Sequence, residues 1–233
     1  MRIKLIELVV LDMAGTTVDE HGDVYRALEG AVTATGATVS AEDLQTWMGA
    51  DKTEAIAALM ELGGVQPTQQ VVAAQFDHFR ALLAAAYNEN PPVALPGVEE
   101  ALRKLKNRGI KVALTTGFSR DVANPIIKTL GWGVGEGELL DAVVTSDEVA
   151  AGRPAPYMIQ RVMELTAVHN VRNVVAGGDT VVDLQAGHNA GVLPLGVLTG
   201  ALGREQLEAY PHEWVLEGVK DLPGIIESLL ANA

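Results

Sequence analysis

The stretch VVLDMAGTTVD, Val9 to Asp19, decides how the rest of the chain is interpreted. Its first four residues complete a largely apolar run, KLIELVVLD, which covers residues 4–12 and ends in one carboxylate, Asp12. A short apolar run that closes in a turn sequence is typical of a strand buried on both faces. The Gly-Thr-Thr turn that follows would present Asp12 at the carboxyl end of this strand.

A helical block follows the first strand. Residues 24–87 carry helical patterns such as YRALEGAVTATG and KTEAIAALMELGG with almost no strand signal, and the block ends at the proline-rich NENPPVALPG. Beyond it, strand-like segments such as KVALTTG, LDAVVTSD, NVVAGGD and LPLGVLTG alternate with helical ones. Strands that alternate with helices imply a parallel sheet with right-handed crossovers.

These patterns together predict an α/β fold. We expect a doubly wound, Rossmann-like core formed by residues 1–18 and 92–233, with a small helical cap domain, residues 19–91, inserted after the first strand. In such sheets the ligand site lies at the carboxyl ends of the strands. An insertion after the first strand would therefore lie above the site.

Composition narrows the classes of function. The net charge of −13 argues against a general nucleic-acid or anionic-membrane surface. The chain has no cysteine, so thiol chemistry and disulfides do not apply. No signal-peptide pattern follows Met1, and a cytoplasmic location is the default expectation.

The predicted strand ends carry a set of polar residues. They are Asp12, the Thr115-Thr116-Gly117 run, Arg153 in the Gly/Pro-rich AGRPAP loop, Asp179 and Asp183. Taken singly, each has a simpler explanation, because a strand-end aspartate is often a turn or cap residue and an arginine is often a surface residue. Their order at successive strand ends favours one site that transfers a phosphoryl group. In such a site the carboxylates would bind Mg²⁺, and Arg153 and Thr116 would bind the phosphate oxygens.

At these residues the sequence resembles the haloacid dehalogenase superfamily, and within it the phosphonoacetaldehyde hydrolases (phosphonatases). The four motifs of the superfamily correspond to LDMAGT, ALTTG, GRP and GGDTVVD. Most relatives carry a second aspartate in the first motif and a lysine in the third. This chain has Ala14 and Arg153 there, as the phosphonatases do, and WMGADKTEAI supplies the Met-Gly-x-x-Lys context of their cap lysine, here Lys52.

The resemblance implies a role for each matching residue. Asp12 would be the nucleophile that forms an aspartyl-phosphate and also a Mg²⁺ ligand, together with the Ala14 carbonyl and Asp179. Asp183 would support the metal site from outside the ligand set. The phosphonate oxygens would be bound by the residues of the second and third motifs, Thr116, Gly117 and Arg153.

Lys52 would explain why no acid stands at Ala14. In the phosphonatase scheme the cap lysine forms a Schiff base with the substrate aldehyde, so the carbon departs as an enamine and needs no acid beside Asp12. The predicted reaction is thus cleavage of the C–P bond of a 2-oxoalkylphosphonate. Taken alone, a lysine beside Asp51 and Glu54 at the start of a helix is more often a solvated surface residue.

The sequence departs from the phosphonatase pattern at three places, and two other functions stay open. Ala55 stands where phosphonatases have a histidine, Phe118 where they have a tyrosine, and His21 and Gly22 near the place of their cysteine. The alternatives are a phosphomonoesterase that acts on a small phosphorylated metabolite and a non-catalytic phosphate-binding protein. The resemblance also favours a homodimer formed through the cap, although the residues around Trp47 could instead form the cap's own core. We expect no nucleic-acid or membrane partner.

Overall fold

A computed structural model describes residues 6–231. Contacts within it define two compact units: a sheet unit, made of the residues before Glu20 and after Pro92, and a helical unit, Glu20–Pro92. Lys4 and Leu5, where the first predicted strand would begin, lie outside the described residues.

The strands belong to the sheet unit. Along the chain they are β1 (Leu8–Leu11), β2 (Val18–Asp19), β3 (Val93–Ala94), β4 (Lys111–Thr116), β5 (Ala142–Thr145), β6 (Val174–Gly178), β7 (Leu193–Val197) and β8 (Trp214–Leu216). Six of them form a parallel sheet in the order β5-β4-β1-β6-β7-β8, and β2 pairs with β3 in a short antiparallel ribbon. The chain moves outward from β1 to one side and then to the other, which is the doubly wound arrangement. The predicted fold class is confirmed.

The helices are divided between the two units. The helical unit contains α1 (Asp23–Thr33), α2 (Ala41–Thr46), α3 (Lys52–Leu62) and α4 (Gln69–Glu89). The sheet unit contains α5 (Val98–Asn107), α6 (Arg120–Thr129), α7 (Tyr157–Leu165), α8 (Val181–Ala190), α9 (Arg204–Glu208) and α10 (Leu222–Ala231).

Apolar side chains bury the central strands. All four residues of β1 are buried, as expected for a strand covered by helices on both faces. On one face α7 packs against β5, β4 and β1, and α8 packs against β6 and β7. Leu8 and Val10 belong to the core cluster between these strands and helices. This packing holds the carboxyl end of β1 in place.

The helical unit has an apolar centre of its own. Helix α1 packs against α4 and α3, and α3 packs against α4. Phe79 of α4 is fully buried and stacks on Phe76, with ring centroids 6.2 Å apart. None of the helices within residues 6–231 combines the length and the apolar character that a membrane crossing requires.

The sequence patterns predict no element for several parts of the sheet unit, which include helices α8, α9 and α10 and strand β8. In α8, Gly187 weakens the helical pattern of the sequence, because glycine is a poor helix former. The structure explains that glycine, because a Cβ there would lie 3.2 Å from the Ala176 carbonyl oxygen of the adjacent strand. Strand β8 is three residues long and only half-buried at the edge of the sheet, so its local signal is weak.

Candidate functional site

The turn after β1 holds Asp12 in place. The Asp12 amide donates to the Gly177 carbonyl of β6, 3.0 Å away, and the Thr17 hydroxyl donates to the Asp12 carbonyl at 2.9 Å. Gly15 has φ +80°, a left-handed conformation that favours glycine. Its amide donates to the Val18 carbonyl, 2.9 Å away. The Gly-Thr-Thr sequence thus closes a tight turn at the strand end, as predicted.

Three buried carboxylates meet at this edge of the sheet. Oxygen atoms of Asp12, Asp179 and Asp183 lie within 4.8 Å of one another. The Thr16 hydroxyl donates to Asp179 Oδ1 at 2.7 Å, and Asp183 Oδ2 accepts from the amide and the hydroxyl of Thr180, which caps α8. Asp183 is thus part of the carboxylate cluster, and its role in supporting the metal site stays a prediction.

Arg153 is a cation that contacts two of these carboxylates, Asp12 and Asp183. It is buried, and its Nη1 lies 2.7 Å from Asp12 Oδ1 and 3.0 Å from Asp183 Oδ1. Its Nη2 donates to the Thr115 hydroxyl at 3.0 Å. Burial opposes the charge of Arg153, but attraction to Asp12 and Asp183 outweighs it and raises the pKa of the guanidinium. Arg153 therefore stays charged and orients the nucleophile predicted from the sequence.

The electrostatics of the cluster favour the binding of a divalent cation. Burial raises the pKa of Asp12 to about 6, although Arg153 opposes the rise. Burial, followed by repulsion from Asp12 and Asp183, raises the pKa of Asp179 well above its ordinary value. Three carboxylates face one guanidinium, so in their ionised form they carry more negative charge than Arg153 can neutralise. Hard oxygen ligands with excess negative charge suit Mg²⁺, and the residues present therefore fit that ion.

Thr116 and Gly117 follow β4, the neighbour of β1. Because Leu114 pairs with Leu11, the ends of the two strands lie side by side. The Thr116 hydroxyl accepts a hydrogen bond from the Phe118 amide at 3.1 Å, which leaves the hydroxyl its own proton to donate. The predicted phosphate-binding pair is thus at the same edge of the sheet as Asp12.

Lys52 is the first residue of α3 in the helical unit. The side chain of Asp51 caps this helix by accepting from the amides of Thr53 and Glu54 at 2.9 and 3.1 Å. Lys52 itself is only 3% exposed, and its Nζ donates to the Ala50 carbonyl at 3.1 Å. The alternative of a solvated surface lysine is therefore wrong.

The residues that depart from the phosphonatase pattern differ in environment. Ala55 and Phe118 are buried. His21 is half-buried with φ +59°, and its Nε2 lies 3.2 Å from the Pro91 carbonyl oxygen.

Sequence reasoning gave no specific role to Thr16 or Thr115. Thr16 bonds a carboxylate 163 positions away, and Thr115 bonds the guanidinium 38 positions away. The sequence shows only that Thr16 lies in a turn and that Thr115 lies near a strand end. It does not predict which side chains they contact, because Asp179 and Arg153 come from distant segments of the chain.

Comparisons with known proteins agree with this geometry. A family model of haloacid dehalogenase-like hydrolases matches residues 6–191. Among curated proteins, the phosphonoacetaldehyde hydrolase of Bacillus cereus (strain B4264) is 34% identical over 224 residues, which cover 88% of this chain and 81% of that protein. The phosphonoacetaldehyde hydrolase of Bacillus anthracis is 34% identical over 223 residues, with coverage of 87% and 81%.

Solved structures share the fold at lower identity. A hydrolase from Pseudomonas syringae superposes with a TM-score of 0.85 at 20% identity, covering 95% of this chain and 98% of that one. A phosphonoacetaldehyde hydrolase-like protein from Oleispira antarctica superposes with a TM-score of 0.83 at 22% identity, covering 97% and 93%. The family model, the curated relatives and the carboxylate cluster lead to one conclusion: the chain is an enzyme that belongs to the haloacid dehalogenase-like hydrolases and is phosphonatase-like in sequence.

Proposed function

We propose that this enzyme is a Mg²⁺-dependent hydrolase that cleaves the C–P bond of a 2-oxoalkylphosphonate, giving inorganic phosphate and a carbonyl compound. The observation that carries the proposal is the burial of Lys52 in a chain whose nucleophile motif has Ala14 in place of a second acid. The 34% identity to phosphonoacetaldehyde hydrolases supports the same substrate class.

The proposed metal ligands are Asp12, the Ala14 carbonyl and Asp179, with Asp183 beside them. When bound, Mg²⁺ would supply positive charge that offsets the negative charge of the phosphonate. Thr116, Gly117 and Arg153 would bind and orient the phosphonate oxygens.

Lys52 would prepare the leaving group. A neutral amine attacks the substrate carbonyl to give a carbinolamine, which takes up one proton and releases water to form an iminium ion. Burial favours the neutral form of an amine, and the low exposure of Lys52 is consistent with this role. The iminium is an electron acceptor next to the carbon that carries the phosphorus.

Asp12 would then take the phosphoryl group. One carboxylate oxygen bonds to phosphorus while the electron pair of the C–P bond moves into the carbon chain and neutralises the iminium, giving an enamine. No alkoxide forms, so no acid is required at Ala14. Water hydrolyses the aspartyl-phosphate, and protonation of the enamine followed by hydrolysis of the imine frees the carbonyl product and Lys52.

Reductive trapping tests the covalent step to Lys52. The protein is incubated with 2-oxoalkylphosphonates and borohydride, and peptide mapping locates any adduct. We expect an adduct at Lys52 that the Lys52→Arg variant lacks, because a guanidinium keeps the charge but does not form a Schiff base. Turnover without such an adduct would refute the Schiff-base step, and turnover that survives Asp12→Asn would refute the aspartyl-phosphate.

One contact supports a second candidate, a phosphomonoesterase. The hydrogen bond from Lys52 Nζ to the Ala50 carbonyl suits an ammonium ion that is held to bind an anionic group of a substrate. Release of phosphate from a panel of phosphate esters, with none from phosphonates, would select this candidate. The homodimer stays a prediction, which analytical ultracentrifugation would test.

A further inference from the structure

The loop that follows β7 reaches the carboxylate cluster. Because β7 is parallel to β6 and lies next to it, the loop begins at the same edge of the sheet as Asp179. It contains Thr199 and Gly200, to which the sequence patterns and the family resemblance assign no role. Both residues contact the turn or the carboxylates already described.

Thr199 holds the turn that carries the proposed Ala14 ligand. Its hydroxyl donates to the Gly15 carbonyl at 2.6 Å, and the Gly15 amide donates to Val18 at 2.9 Å. The peptide groups on both sides of Gly15 are therefore hydrogen-bonded. The first of these groups includes the Ala14 carbonyl, whose direction follows from the bond between the Gly15 amide and Val18, because a trans peptide points its oxygen away from its N–H. The Thr199 bond fixes the second group, and so limits the rotation about Gly15 that would reorient the first.

Gly200 confines Asp179. A Cβ atom built on Gly200 would lie 1.9 Å from Asp179 Oδ2, and one built on Gly15 would lie 2.6 Å from the same oxygen. The Thr16 hydroxyl donates to the other oxygen, Asp179 Oδ1. The carboxylate is thus enclosed by the two glycines and oriented by one hydroxyl.

We propose that Thr199 and Gly200 are positioning residues for the metal site: Thr199 orients the Ala14 carbonyl through Gly15, and Gly200 leaves the space in which the Asp179 carboxylate takes its orientation. The inference rests on the proposed function, because it assumes that these groups hold a divalent cation. Mutation of a residue that orients a metal ligand typically lowers the affinity for the metal by about 10–100-fold.

Binding of Mn²⁺ to the full-length protein tests the role of Thr199 without relying on activity. Unbound Mn²⁺ is measured by electron paramagnetic resonance, and the melting midpoint is measured in EDTA. We expect Thr199→Val, which keeps the shape but loses the donor, to weaken Mn²⁺ binding by about tenfold. Thr199→Ser, which keeps the donor, should stay within about twofold of the wild type. Excess Mg²⁺ should restore turnover by Thr199→Val.

Thr166→Val is the matched control. Thr166 is also buried, and its hydroxyl donates to the Val162 carbonyl at 2.8 Å. It lies at the opposite edge of the sheet, where its own carbonyl accepts from Lys111 at the start of β4. This variant should lower the melting midpoint and leave Mn²⁺ affinity unchanged, which separates loss of a hydrogen bond from loss of positioning.

A glycine pair provides an independent test. Gly200→Ala would force the Asp179 carboxylate to move and should weaken Mn²⁺ binding by at least about tenfold. Gly203→Ala, three residues later, places its Cβ no closer than 3.6 Å to its nearest neighbour, Gln206, and should bind Mn²⁺ as the wild type does.

The outcomes separate this inference from the proposed reaction. Equal Mn²⁺ affinity in the wild type, Thr199→Val and Gly200→Ala would overturn the inference and leave C–P cleavage standing. Weakened binding in both variants, with no turnover of oxo-phosphonates by the wild type, would support the inference and refute the reaction. Failure of the wild type to bind Mn²⁺ would overturn the inference and the metal-dependent part of the proposed function together.

Discussion

Replacing Arg153 by methionine removes the guanidinium from the carboxylate cluster while keeping an unbranched apolar stem. The partners of Arg153 include Asp12 at 2.7 Å, Asp183 at 3.0 Å and the Thr115 hydroxyl at 3.0 Å. All of these groups lie in the sheet unit and are buried. In the variant, the carboxylates would face one another without the guanidinium that now contacts two of them.

The expected cost follows from that burial. Removing one partner of a buried ion pair destabilises a protein by about 3–5 kcal/mol. Burial already raises the pKa of Asp12 to about 6 while Arg153 is present, and loss of the guanidinium would raise it further. Lowering the pH neutralises the carboxylates and relieves the repulsion. We therefore expect a loss of about 3–5 kcal/mol at pH 8 and less than half of that at pH 5.

Urea denaturation in EDTA, followed by circular dichroism at both pH values, measures this difference. The matched control is Arg161→Met, which removes an ion pair with Glu164 whose side chains are 45% and 69% exposed. Such a pair contributes about 0–1 kcal/mol, so the control should behave like the wild type at both pH values.

Two results would refute the reasoning. One is an Arg153→Met variant as stable as the wild type at pH 8 without metal. The other is a loss of stability of equal size at pH 5 and pH 8, because repulsion between ionised carboxylates must weaken when they are protonated.

Three further predictions concern the carboxylate cluster and the core of the helical unit. The rise of the Asp12 pKa from 3.8 to about 6 means that the folded state binds this proton more tightly, so the contribution of Asp12 to metal-free stability should fall by about 3 kcal/mol as the pH rises from about 4 to 6. Urea denaturation in EDTA measures this contribution as the difference between the wild type and Asp12→Asn, and a fall of equal size in the two proteins would contradict the prediction. Mg²⁺ at about 100 times the Kd of the wild type should raise its unfolding free energy by about 2.7 kcal/mol. An equal rise in Asp179→Asn at the same Mg²⁺ concentration would argue against that ligand. Phe79→Ala should cost about 3–5 kcal/mol by opening a cavity in the helical unit, and a change below about 1 kcal/mol in denaturant unfolding would show that the cavity collapses.

Local patterns in the sequence were sufficient for most of the fold. The run that ends at Asp12 and the later strand segments each match a strand, because a strand covered by helices on both faces needs a continuous apolar run. Helix α8 and strand β8 were not predicted. Gly187 serves a close approach between elements, and β8 needs its neighbour β7 to exist as a strand, so neither feature has a local signal of its own.

The candidate site was predictable to a similar extent. Asp12, Arg153 and Asp179 could be singled out because the strands of a parallel sheet end at one edge, which makes strand ends the place to search. The burial of Lys52 could not be predicted, since a lysine near a helix start is usually solvated. The charged residues near it, Asp51 and Glu54, favour the interpretation of a solvated lysine, which the structure shows to be wrong.

The sequence by itself determined which chemical groups stand at the strand ends and in what order, because apolar runs, turns and motifs are local properties of the chain. Only the tertiary structure decided which of these groups touch. Thr16 meets Asp179 across 163 positions and Thr199 meets Gly15 across 184, and no pattern in either segment specifies the other. Such contacts depend on the pairing and register of the whole sheet, which the packing of all its strands and helices sets together.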